Sequence, residues 1–106
     1  MGASRIDIFK QMLEGDPANT SVLFGLAKEY EKTERYNELI ETLEKYLEHA
    51  DDEGNAYGML ARAYEKRGER ERARQCYSKG IEVAMAHGHP SMAEDYRMTL
   101  ETDYGD

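Results

Sequence analysis

Apolar and small residues recur along the chain with the spacing of one face of an α-helix. Tyr30 and Tyr64 are 34 residues apart, and each is followed by the dipeptide Glu-Lys. Each tyrosine also closes a segment in which apolar or small residues occupy positions i, i+3, i+4 and i+7. These positions are Leu23, Leu26, Ala27 and Tyr30 in the first segment and Tyr57, Leu60, Ala61 and Tyr64 in the second. The pattern predicts one amphipathic helix that occurs twice, with a period of 34 residues.

Each of these helices is followed by a break and then by a second amphipathic helix. The first break lies near Thr33–Arg35, and the second is at Gly68, a residue that suits the left-handed conformation in which many helices end. The apolar and small positions of the second helices are Leu39, Ile40, Leu43, Tyr46 and Leu47 after the first break and Ala73, Tyr77, Gly80, Ile81 and Ala84 after the second. The repeated unit is therefore a helical hairpin, and neither copy can bury both of its faces alone.

A further helix is predicted before the two hairpins. Arg5–Glu14 has one apolar side, and the segment ends at Gly15. Asn19, Thr20 and Ser21 then offer side-chain oxygens that can cap the first helix of the first hairpin. The prediction at this end of the chain is a single helix followed by a short connection.

The last predicted helix follows the break at His87–Pro90. Ser91 and Glu94 have the spacing of a capping box, which predicts the start of that helix at Ser91. We expect residues 101–106 to fray. The complete prediction is an all-α single domain of six helices with no sheet, divided into a half-repeat helix at 4–15, a first full repeat at 20–50, a second full repeat at 54–87 and a capping helix at 91–102.

Composition restricts the class of protein further. The chain has 106 residues, with 14 Lys and Arg against 22 Asp and Glu and a formal net charge of −8. No apolar run approaches the ~18 residues of a membrane span, and no signal-peptide core follows Met1. The single cysteine excludes an intrachain disulfide and a cysteine-rich zinc site. We therefore expect a reduced, cytoplasmic domain with no membrane contact.

The repeated residues resemble the tetratricopeptide repeat family, whose unit is a helix–turn–helix of 34 residues. The places that carry the resemblance are Leu23, Leu26, Ala27, Tyr30, Tyr36, Leu39 and Leu43 in the first repeat and Tyr57, Leu60, Ala61, Tyr64, Gly68, Ala73 and Tyr77 in the second. The chain departs from the family pattern at Glu34, where a turn glycine is usual, and at Leu39, where a small residue is usual. The resemblance covers residues 5–87 and implies a right-handed stack of antiparallel helical hairpins.

Members of this family usually bind a partner segment in a concave groove lined by the first helix of each repeat. The resemblance places in that groove Ser21, Phe24, Lys28 and Lys32 of the first repeat and Asn55, Gly58, Met59, Arg62 and Lys66 of the second. Cations beside Phe24 and Met59 as apolar anchors suit a short acidic or C-terminal peptide. The alternative is that these cations only solvate a helix face beside Glu29, Glu31 and Glu65.

The first helix suggests a different function. Its apolar residues form a face wide enough to contact more than one neighbour, and the resemblance leaves this helix without its hairpin partner. The residues of this face are Ile6, Ile8, Phe9, Met12 and Leu13. Because bare apolar patches often mark interfaces, the alternative function is a self-associating scaffold, for example a homodimer. The face could instead simply cap the array.

Catalytic, metal and cofactor chemistry finds little support in the sequence. His87 and His89 with Glu94 could be imagined as metal ligands, but two histidines beside a proline are more typical of a solvated turn. Cys76 lies among basic residues, yet no His or Asn is near it in sequence to complete a catalytic set. Phosphate-binding glycine loops and nucleophile elbows are absent from the sequence. We expect a protein that is not an enzyme and has no cofactor.

Nucleic-acid binding is also disfavoured. Arg62–Lys79 contains 7 basic and 3 acidic residues, which could suit a polyanion. However, Glu69 and Glu71 alternate with the arginines as they do in ion pairs on a helix surface. With a net charge of −8 and no aromatic residues interleaved as a stacking platform, we expect another protein or peptide as the partner.

Overall fold

The computed structural model of the chain describes residues 4–105, and this part of the chain consists of α-helices joined by short connections, without a strand. The helices are α1 (Arg5–Gly15), α2 (Thr20–Lys32), α3 (Tyr36–His49), α4 (Asn55–Lys66), α5 (Arg70–Ala86) and α6 (Pro90–Tyr104). They group into two compact units, Met1–Asp51 with α1–α3 and Asp52–Asp106 with α4–α6. The predicted all-α fold of six helices is confirmed.

Side-chain caps define where several helices begin. The Ser4 hydroxyl accepts a hydrogen bond from the Asp7 N–H at 3.1 Å, and the Asn19 side-chain oxygen accepts one from the Val22 N–H at 3.1 Å. Asp52 is buried, and its carboxylate accepts the N–H groups of Gly54 and Ala56 at 2.8 and 3.0 Å. These hydroxyl, amide and carboxylate oxygens satisfy N–H groups that the start of a helix leaves without a partner.

The predicted capping box at Ser91 is wrong. Helix α6 begins one residue earlier, with Pro90 in its first turn and no side-chain cap at His89. Proline is favoured at this position because its ring fixes a helical φ and its missing N–H would have no helical acceptor there. Ser91 therefore lies inside the first turn.

The same bend joins helices at three places. At each bend one residue adopts a left-handed conformation, and the next residue donates its N–H to a carbonyl five positions back, as in a Schellman motif. The left-handed residues are Glu34, Gly68 and Gly88, with φ of 58°, 77° and 76°. The closing bonds are Arg35 N to Tyr30 O at 2.9 Å, Glu69 N to Tyr64 O at 2.9 Å and His89 N to Ala84 O at 2.8 Å. Glu34 lacks the freedom of glycine, so this conformation costs about 1 kcal/mol there.

In the first unit, α2 packs between α1 and α3. Its predicted apolar face is buried, and Leu23 on α2 together with Leu39 and Leu43 on α3 are the largest side chains that are almost completely enclosed. Leu39 thus fills, as a large residue, a position that the family usually gives to a small one. Helix α1 has no fully buried residue, and it packs mainly against α2.

In the second unit, α5 packs between α4 and α6. The ring of Tyr96 on α6 lies over two glycines, Gly58 on α4 and Gly80 on α5, and its hydroxyl donates a 2.8 Å hydrogen bond to the Gly54 carbonyl. The expected fraying of residues 101–106 is wrong for residues 101–104, because α6 continues to Tyr104. Asp106 lies outside the described residues. Arg70 binds the Asp103 carbonyl at 2.6 Å, which secures this end of the helix.

Candidate peptide-binding surface

Three residues of α2 form a stripe on its exposed side, which we call the α2 stripe: Phe24, Lys28 and Lys32. Their i, i+4 spacing places them on one face of the helix. The half-buried Phe24 ring packs against Tyr46 of α3, with ring centroids 5.1 Å apart. The Lys28 ammonium lies 5.6 Å from the centroid of the same Phe24 ring. An aromatic ring fixed by its neighbour thus lies directly beside an exposed cation.

A pocket of about 360 Å³ opens next to the α2 stripe, and we call it the α2 pocket. Its lining residues are Arg5, Gly25, Lys28, Glu29, Glu31 and Lys32. Glu29 accepts ion pairs from Arg5 Nε at 3.4 Å and from Lys32 Nζ at 3.6 Å. Sequence reasoning did not find Arg5 as a site residue, because its approach to α2 depends on how α1 packs.

A glycine lets α1 come this close to α2. A Cβ atom placed on Gly25 would lie 3.0 Å from Cζ of Phe9, so the Phe9 ring occupies the space that a side chain would take. The Arg5 guanidinium in turn lies 5.4 Å from the centroid of the Phe9 ring. Phe9 thereby holds the first turn of α1, and Arg5 with it, at the edge of the α2 pocket.

The candidate residues of α4 fall into two groups. Asn55, Arg62 and Lys66 are exposed, and we call these three residues the α4 stripe. Met59 is only 5% exposed, so its interpretation as an apolar anchor for a peptide does not fit its position. Gly58 is covered by the Tyr96 ring and also offers no surface. Helical spacing alone could not distinguish these residues, because the face that α4 buries is wider than its predicted core stripe.

A carboxylate in the second unit holds two tyrosines. Glu65 accepts hydrogen bonds from the hydroxyls of Tyr77 at 3.2 Å and Tyr104 at 2.7 Å. Burial, followed by the negative charge of Glu65, raises the pKa of Tyr77 well above its ordinary value. Burial and the hydrogen bond to Glu65 raise the pKa of Tyr104 to about 12. Both phenols are therefore neutral donors at physiological pH, and they tie α6 and α5 to the end of α4.

The predicted self-association face on α1 is divided by the fold. Ile8 and Met12 are 45% and 50% exposed, and their i, i+4 spacing places them on one side of the helix. Ile6 and Phe9 are half-buried instead, and Phe9 is occupied by its contact with Gly25. The exposed apolar surface of α1 is thus narrower than the sequence indicated.

The structure also places the histidines and the cysteine that the sequence raised as candidates for other chemistry. Across residues 4–105, no three His, Cys, Asp or Glu side chains come together in a group that could hold a metal ion. His89 pairs with Glu53, and the ring of His87 is 2.9 Å from the Val83 carbonyl. Cys76 is half-buried on α5. None of the described helices is long and apolar enough to cross a lipid bilayer.

Comparison with known proteins bears on the fold and on the repeats. A family model of the tetratricopeptide repeat matches residues 20–51 and 54–86, which together make up more than half of the chain. Among solved structures, the one titled "Crystal structure of MamA" superposes with a TM-score of 0.52 at 21% sequence identity, covering 94% of this chain and 87% of that one. At this identity the likeness concerns the fold alone. No curated protein matches the chain.

Proposed function

The chain belongs to the tetratricopeptide repeat family, a protein–protein interaction fold, and we propose that it binds a short acidic peptide segment of its partner along the α2 stripe. The observation that carries this proposal is the exposed Lys28 beside the half-buried Phe24 ring. An apolar ring and a fixed charge have different roles in binding a peptide. Apolar contact supplies affinity, and a fixed charge selects an acidic sequence.

The α4 stripe supports the same chemistry in the second repeat. Arg62 and Lys66 are exposed and lie four residues apart, as Lys28 and Lys32 do on α2. Asn55 adds an amide that can both donate and accept hydrogen bonds. Cations at the corresponding helix of both repeats favour acidic partners at these two surfaces, although the net charge of the chain is −8. We propose that the α4 stripe contributes additional contacts to an acidic partner.

Reversing one cation in each repeat should weaken partner binding at least tenfold. In Lys28→Glu/Arg62→Glu, two attractions to an acidic peptide become repulsions, and each close charge contact is worth on the order of 1 kcal/mol or more. The measurement is affinity capture from native lysate with the wild type and the variant, with the bound proteins identified by mass spectrometry. We expect acidic segments to be common among the proteins that only the wild type retains.

The matched control is Lys10→Glu/Lys45→Glu, which changes the net charge equally at exposed positions of α1 and α3 outside both stripes. This control should retain the partners of the wild type. Both double variants should melt close to the wild type, because exposed charges contribute little to stability. Full retention of the partners by Lys28→Glu/Arg62→Glu would exclude each of the two stripes as a peptide-binding surface.

A second candidate function is self-association through α1. The observation that favours it is the exposure of Ile8 and Met12 on the same side of α1, a helix that packs mainly against α2. A second copy of the chain could cover these side chains, and two-fold pairing of identical patches is the commonest form of such association. In this case the chain acts as a scaffold and needs no peptide ligand.

Light scattering of Ile8→Asp tests the second candidate. If α1 mediates self-association, the wild type should be dimeric at high protein concentration, and Ile8→Asp should be monomeric because a buried carboxylate opposes the contact. Gln11→Asp adds the same charge at another exposed position of α1 and should remain dimeric. A wild type that stays monomeric throughout the concentration range contradicts self-association.

A further inference from the structure

The α2 pocket already contains a carboxylate, that of Glu29, which forms ion pairs with two of its three cations. The Glu29 side chain is only 15% exposed, whereas those of its partners Arg5 and Lys32 are 69% and 73% exposed. The Glu29 carboxylate is therefore largely enclosed, and the side chains of Arg5 and Lys32 extend from it toward solvent. Ion pairs with such exposed partners are weak, so a competing anion can displace them at little cost.

Lys28 is the third cation of the pocket. Its ammonium contacts the Phe24 ring and forms no ion pair with another residue in the described range 4–105. The residues that line the pocket include three cations, Arg5, Lys28 and Lys32, and two anions, Glu29 and Glu31. They therefore carry one positive charge in excess. The charge of the pocket is thus suited to one more anionic group.

We infer that the α2 pocket takes a single carboxylate of the bound peptide, which contacts Lys28 and Arg5 and competes with Glu29 for the cations. This inference rests on the proposed function and specifies its chemistry. It also gives α1 a role beyond packing, since Arg5 supplies one of the contacts. The half-repeat helix is then part of the binding site.

The chemistry of the residues fits this ligand. The guanidinium of arginine presents parallel N–H groups that match the two oxygens of a carboxylate, and the lysine ammonium adds a point charge. The volume of about 360 Å³ is at the lower end of the range for ligand pockets, which suits one side chain or one chain terminus. Phe24 lies against Lys28, so an apolar peptide residue next to the carboxylate would contact the ring.

Two peptides distinguish a side-chain carboxylate from a chain-terminal one. The first is a dansyl-labelled, C-terminally amidated octapeptide of Asp, Leu and Gly, whose only carboxylates are those of its side chains. The second is a labelled octapeptide of Ser, Leu and Gly with a free C-terminus. Binding of each is measured by fluorescence anisotropy at low salt, where charge contacts are least screened. We expect the amidated acidic peptide to bind, and binding of only the second peptide would assign the pocket to a terminal carboxylate.

Two substitutions then test the pocket itself. Arg5→Gln should weaken binding about threefold, as expected for the loss of one solvent-exposed charge contact. Lys10→Gln removes the same charge from α1 outside the pocket and should leave binding unchanged. Glu29→Gln should strengthen binding about threefold because it removes the competing carboxylate. Glu41→Gln on α3 changes the net charge equally and should have little effect. Thermal melting of each variant checks that it is folded.

The outcomes separate this inference from the proposed function. If neither peptide binds, the proposed acidic-peptide function is overturned and this inference with it. If Lys28→Gln abolishes binding while Arg5→Gln leaves it unchanged, the proposed function stands and the role of Arg5 is overturned. If Glu29→Gln weakens binding in a folded protein, Glu29 supports the ligand and does not compete with it, which also overturns the inference.

Discussion

Replacing Tyr96 with alanine will lower the free energy of unfolding by about 3–5 kcal/mol, the range for removing a buried aromatic side chain. The Tyr96 ring fills a slot whose walls are two glycines, and its centroid is 5.8 Å from that of Tyr77. Because glycines have no side chain that could move into the gap, the void left by alanine cannot be refilled. Urea denaturation followed by circular dichroism measures the change.

A second substitution tests whether the close fit of the Tyr96 ring between the two glycines is the cause of this loss of stability. A Cβ atom at Gly58 would lie 2.5 Å from the Tyr96 hydroxyl oxygen, so Gly58→Ala should destabilise the wild type. In the Tyr96→Ala background the ring is gone, and Gly58→Ala should instead stabilise by about 0.5–1 kcal/mol, the usual gain for alanine over glycine within a helix. If Gly58→Ala changes the free energy of unfolding in the same direction in both backgrounds, Tyr96 and Gly58 are not coupled as described.

Alkaline conditions will destabilise the second unit by about 2–4 kcal/mol between pH 10 and pH 12. The folded state raises the pKa of Tyr77 above its ordinary value and that of Tyr104 to about 12, through burial and through Glu65. A pKa raised on folding means that the neutral phenol is favoured in the folded protein. Its stabilisation is therefore complete below the unfolded pKa near 10 and is lost as the pH rises through the folded pKa.

The measurement is denaturant unfolding at a series of pH values for the wild type and for Tyr104→Phe. The variant has no phenol to ionise at this position, so its loss of stability between pH 10 and pH 12 should be smaller by about 1–2 kcal/mol. Tyr36→Phe, which removes a phenol from the other unit, is the matched control for the substitution itself. If the free energy of unfolding falls equally steeply with pH in Tyr104→Phe and in the wild type, Glu65 does not stabilise the neutral phenol of Tyr104 as described.

The α2 stripe was accessible from sequence, and the α2 pocket was not. Phe24, Lys28 and Lys32 share one helix, and residues four apart lie on the same face of any helix. Arg5 joins them only because α1 packs against α2 through Phe9 and Gly25, which is a contact between separate helices. Met59 shows the reverse case, since helical spacing made it a surface candidate and packing buried it.

The sequence by itself determined the local structure of this protein. Periodicity of apolar residues placed the helices, and Gly68 and the residues around Glu34 placed the bends, because both signals depend only on neighbours a few positions away. Only the tertiary structure decided which side chains meet across helices: Arg5 with Glu29, Tyr96 with Gly58, and Tyr104 with Glu65. Such contacts depend on the distance and rotation between helices, which arise when all the side chains of a unit pack together and which no local pattern encodes.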